Sequence, residues 1–169
     1  MNNDKGQSLI EVIVAMTVGI LVVSALTFAT IFSLRNAGFA KASAQATKLA
    51  QEGIERVRTG RDRNIAISDF QLGTQGITSW DDSDLWDNQI SSNCTPNCYF
   101  NINSSGGLKY LTAADSVPLL AESNGQFKRV VILSDDASFR TEKKVIVVVT
   151  WNDFAGTQES RLATILRKL

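Results

Sequence analysis

The chain has 169 residues, 44% of them apolar, with 17 basic and 17 acidic side chains, two cysteines and no histidine. Balanced charge excludes an acidic disordered tail and a strongly basic nucleic-acid binder. The missing histidine excludes histidine triads, imidazole metal sites and histidine pH switches, and the length suggests one ordinary domain plus an appendage.

The opening, Met1-Asn2-Asn3-Asp4-Lys5-Gly6, is polar or small. Gln7-Ser8-Leu9-Ile10-Glu11 then leads into Val12–Leu34, a run of 23 residues with no charged side chain. About 20 apolar residues in a helix suffice to cross a bilayer core, and no other stretch compares. A secretory signal would carry its small-residue cleavage site after the apolar run. Here Ser24-Ala25-Leu26 lies inside the run, and the punctuation falls before it, at Gly6.

The helical pattern continues past Arg35. Phe39, Ala42, Ala46, Leu49, Ala50, Ile54 and Val57 recur at spacings that define one amphipathic face, with Lys41, Gln45, Lys48, Gln51, Glu55 and Arg56 opposite. One helix is therefore expected over residues 8 to about 58, lipid-facing in its first half and packed on a domain in its second. Gly19, Gly38 and Gly53 are its weak points, each costing up to about 1 kcal/mol relative to alanine.

Gly60-Arg61-Asp62-Arg63-Asn64 ends the pattern, and a stretch rich in Asp, Asn, Ser, Gly and Thr runs to about Leu120. Short strands are expected at Tyr99–Asn103 and Leu108–Thr112. Stronger β-branched runs follow at Phe127–Ser134, Lys144–Asn152 and Ser160–Leu166, with turns at Asp135–Ser138 and Asp153–Gly156. Short connections predict an antiparallel meander, one face covered by the helix. The expected fold class is α+β.

Cys94 and Cys98 stand in Cys-Thr-Pro-Asn-Cys. Zinc needs more soft ligands, and a redox motif prefers two intervening residues. A structural disulfide on the oxidising side of a membrane is expected, with free buried thiols as the alternative. Asp81, Asp82, Asp84 and Asp87 lack the order of a calcium-binding loop and read as a solvated acidic loop. Trp80 and Trp86 are expected to anchor that loop, and Trp151 to lie in the core. Lys143-Lys144 and Arg167-Lys168 read as charged strand ends. No catalytic residue, metal site or cofactor is assigned, and no nucleic-acid partner.

Glu11 needs an explanation, because a carboxylate within a membrane helix costs about 2.5–3.5 kcal/mol at the span's centre. It is either an interfacial glutamate without a role or the partner of a positive charge on a neighbouring molecule. Lys5-Gly6-Gln7-Ser8-Leu9-Ile10-Glu11 resembles the cleavage and methylation motif of type IV prepilins and type II secretion pseudopilins. The resemblance implies cutting after Gly6 by a prepilin peptidase, N-methylation of Gln7, and pairing of Glu11 with a neighbour's N-terminal amine. Gln7 stands where the family more often has an apolar residue, and the family's helix-kinking proline is absent. Leu49–Glu55 with Arg58, Arg61 and Asp62, and the late strand with Trp151, resemble minor pilins and pseudopilins.

The implied organisation is a leader at 1–6, a transmembrane and assembly half at 7–34, an amphipathic half at 35–58 and an extracytoplasmic β-sheet domain at 59–169. The implied precursor spans the cytoplasmic membrane once, and its partners are other pilin subunits, prepilin peptidase and the membrane. A single-pass anchored binding protein, its helix a mere tether, is the rival reading.

Overall fold

The computed structural model describes residues 4–90, 94, 97–103, 105–111, 120–121, 126–135 and 141–169. The chain divides into two units, Met1–Lys41 and Ala42–Leu169. Helix α1, Asp4–Asp62, contributes to both. It passes through Gly19 and Gly38 without a break, as a stretch free of proline allows.

In the first unit α1 is the whole structure. In the second, its remaining turns present Ala42, Ala46, Ala50, Ile54 and Val57 to the core, as the spacing predicts. Phe39, expected on that face, is instead 42% exposed and belongs to the first unit.

After α1 come β1 (Ile67–Ser68), β2 (Phe70–Leu72), β3 (Gln75–Ile77) and the short helix α2 (Ser83–Asp87). Then follow β4 (Cys98–Ile102), β5 (Leu108–Leu111), β6 (Leu120–Ala121), β7 (Phe127–Asp135), β8 (Glu142–Asp153) and β9 (Gly156–Arg167). The expected meander is β7-β8-β9, and the sheet continues in the order β1-β5-β4-β7-β8-β9, with β6 also paired to β7. All its pairings are antiparallel except β1 with β5. β2 and β3 form a separate hairpin, whose Phe70 packs its ring 5.1 Å from Phe100 of β4 and 5.3 Å from Tyr110 of β5.

Alternation assigns the sheet's faces. Val131 and Leu133 of β7, and Val145, Val147, Val149 and Trp151 of β8, share the core with α1. The sheet's side chains press so closely on α1 that a Cβ on Gly53 would lie 2.8 Å from Val147 Cγ1 and 3.2 Å from Arg129 Cδ. A Cβ on Gly60 would lie 2.5 Å from the carbonyl oxygen of Gly106, itself at φ +92°. Gly53, read from sequence as a weak point of the helix, is thus a point of close contact with side chains of the sheet.

The Asp153–Gly156 turn is a two-residue hairpin of Phe154 and Ala155. Asp153 Oδ1 accepts from the Ala155 N–H at 2.7 Å, and Gly156 takes φ +114°. Of the expected turn at Asp135–Ser138, Asp135 ends β7 and the other residues lie outside the described residues.

Candidate assembly site

The site is the apolar run of α1. Every large hydrophobic residue from Leu9 to Leu34 is exposed, from 43% at Ile31 to 75% at Phe28. Exposure of one or two such residues is ordinary, but a face exposed along seven turns requires a covering of lipid or protein. Four of the five hydroxyls between Val12 and Leu34 are already satisfied. Thr17, Ser24, Thr27 and Thr30 each donate to a carbonyl of the preceding turn at 2.8 Å. Hydroxyls bonded within the helix in this way can enter hydrocarbon or an apolar bundle without losing those hydrogen bonds. A shallow notch lined by Met16, Gly19, Ile20, Val23 and Ser24 marks where the missing Gly19 side chain lets another surface approach.

Glu11 is an exposed carboxylate at the head of this run and has no partner among the described residues. Gly6 and Gln7 lie on the opening turns of α1. Met1–Asn3 lie outside the described residues, and the described side chains of α1 begin at Leu9.

The remaining expected site residues belong to the second unit and support it. Cys94 and Cys98 form a disulfide, S–S 2.01 Å and Cα–Cα 5.0 Å, and both are buried. Trp80 and Trp86 are each 1% exposed, with Trp86 Nε1 donating to the Trp80 carbonyl at 2.6 Å, so they do anchor the acidic segment. Trp151 is buried in the core. Asp82 caps α2 by accepting from the Asp84 N–H at 3.1 Å, and Asp84 Oδ1 accepts from Asn88 Nδ2 at 3.1 Å. Among the described residues no three potential metal ligands gather.

Lys143 was not anticipated. Expected as a charged strand end, it is 1% exposed and donates from Nζ to Asp135 Oδ1 at 2.7 Å and to the Asn88 carbonyl at 3.0 Å. Asp135 Oδ1 also accepts from the Ile90 N–H at 3.2 Å. The pair ties the segment after α2 to the ends of β7 and β8. Its neighbour Glu142 is also buried and pairs with Arg167 at 2.6 Å. The legible signal was parity, since Lys143 falls in step with Val145, Val147 and Val149. Arg129 is likewise in step with Phe127 and Val131, and its Nη1 donates to the Leu49 carbonyl of α1 at 3.0 Å.

A long apolar N-terminal helix, followed in the chain by a mostly antiparallel sheet, is the α+β layout of a pilin-like protein. The family described as prokaryotic N-terminal methylation motif matches residues 1–27, so the chain carries the signature of type IV pilins and pseudopilins. No curated protein and no solved structure matches it. The motif marks a pilin-like, membrane-associated precursor of the kind processed by prepilin peptidase, within a class of structural subunits.

Proposed function

We propose that the protein is a structural subunit of a type IV pilus-like filament, a minor pilin or pseudopilin. The observation that carries this reading is the bare apolar surface from Leu9 to Leu34, whose one charged side chain is Glu11 at its head, overlapping the methylation motif matched at residues 1–27. The precursor spans the cytoplasmic membrane once. Peptidase cuts after Gly6, and Gln7 becomes the methylated N-terminus. Helices of successive subunits then exchange lipid contacts for contacts with each other, through small residues such as Ala15, Gly19, Ser24, Ala25 and Ala29. Glu11 pairs with a neighbour's terminal amine, because two opposite charges in an apolar bundle cost less together than apart. The second unit becomes extracytoplasmic wall. The minor-pilin or pseudopilin reading draws its support from the Leu49–Asp62 pattern and the Trp151 strand.

The test is N-terminal mass analysis of protein from its native membrane, with wild type, Gly6→Ala and Glu11→Ala compared. Expected are a methylated Gln7 terminus in wild type and Glu11→Ala, an unprocessed chain in Gly6→Ala, and filaments in wild type only. An intact Met1 in wild type would sink the precursor pathway and favour the tethered binding protein. Normal filaments from Glu11→Ala would remove the pairing role.

A further inference from the structure

In a sheet covered by a helix on one face, the other face ordinarily turns polar. Here a row of apolar side chains crosses that outer face. Leu111 pairs with Tyr99, Tyr99 with Ile132, Ile132 with Ile146, and Ile146 with Ala163. Leu111 and Ile132 are buried, whereas Ala163, where the row reaches β9, is exposed, as is Ile165 two residues on. Among the described residues, nothing lies beyond the edge where the row runs out.

That edge is unusually open. β9 pairs with β8 over all 12 residues in one unbroken register, so no bulge turns it away. It contains no proline, and Leu162-Ala163-Thr164-Ile165-Leu166 is a run of five residues without charge. Natural edge strands are usually short, bulged or guarded by charge along their length. The two-residue hairpin makes Asp153 and Gly156 a hydrogen-bonded pair, so the even residues of β9 bond to β8 and the odd ones direct N–H and C=O outward. The Arg167 carbonyl follows this rule, accepting outside the sheet from Arg61 Nη1 at 3.3 Å. Among the described residues no strand lies on that side.

We propose that this edge is a self-association surface, on which β9 pairs antiparallel with β9 of a second copy about a two-fold axis at Ala163. Charge selects the register. Centring on Arg161 opposes two copies of that arginine, and centring on Thr164 opposes Arg161 to Arg167. Centring on Leu162 leaves every charge on the outer face against an uncharged residue. Centring on Ala163 sets Glu159 opposite Arg167 twice, keeps the outward-directed odd residues facing each other, and continues the apolar row into the second sheet.

The pairing is isologous and closes on two copies, so it is distinct from the contact that propagates a filament. The second unit's part of α1 runs alongside β9 in the same direction, with Thr47 at Ser160, Arg58 at Thr164 and Arg61 at Arg167. These helical segments therefore run oppositely in the two copies. The contact joins copies from separate arrays, whatever becomes of the filament reading.

The test uses full-length protein with single introduced cysteines and a short-spacer bifunctional thiol reagent, the native cysteines being held in their disulfide. Ala163→Cys should cross-link to a dimer, since partners across an antiparallel ladder lie about 5.5 Å apart. Glu159→Cys should not, its two copies being roughly 27 Å apart in this register. Adding Glu159→Arg to Ala163→Cys should weaken association about tenfold, Arg167 being kept because it pairs with buried Glu142. Equal cross-linking of the two single-cysteine proteins would overturn the proposal. So would undiminished cross-linking with Glu159→Arg, or Ala163→Cys joining only to a different protein.

Discussion

Lys143 is buried in the core with its Nζ donating to Asp135 Oδ1 and the Asn88 carbonyl, both within 3.0 Å. Removing one partner of a buried pair leaves the other stranded, a loss of about 3–5 kcal/mol. Asp135→Ala should therefore lower unfolding free energy by about 3 kcal/mol in urea titrations, more than a surface carboxylate would. Gly53 poses the opposite problem. Alanine there improves helix propensity by about 1 kcal/mol, but its methyl would press on Val147 at 2.8 Å. Overpacking costs typically 1–3 kcal/mol, so Gly53→Ala should lower the melting temperature, whereas Gly38→Ala, with nothing within 4 Å, should not.

At the scale of elements, two local devices act around α2 and the start of β4, a disulfide and a helix cap. The Cys94–Cys98 disulfide closes a ring of five residues, counting both cysteines. Loop-closure entropy for so short a ring gives about 2 kcal/mol, and the double Cys→Ser variant should show a loss of that order by calorimetry. The Asp82 cap contributes about 1 kcal/mol. Asp82→Ala should speed amide exchange across Ser83–Asp87 without shifting the global transition. The strands ahead of α2 escape sequence reading because β1, β2 and β3 have two or three residues each, too few to display a period of two. β7, β8 and β9, with 9, 12 and 12 residues, carry β-branched runs long enough to be read between their turn residues.

For the molecule as a whole, the two units answer to different solvents. A charge at the middle of the apolar run, Val22→Arg, costs about 2.5–3.5 kcal/mol on insertion. It should release the chain from membranes in alkaline extraction. The sheet unit contains none of the affected residues, so its thermal transition should stay where it is.

The apolar helix, its packing face, the three long strands and the hairpin turn were all legible, because each rests on a periodicity or a turn residue within a few positions. The motif at Lys5–Glu11 was legible as well, being a local order of residue types. Only the tertiary structure decided the rest. The docking of β4 on β7, the burial of Lys143 against Asp135 and Asn88, and the contact of Gly53 with Val147 all join residues far apart in sequence. Such pairings depend on which strands become neighbours. Local propensity fixes what each segment is; burial of the shared core fixes what it meets.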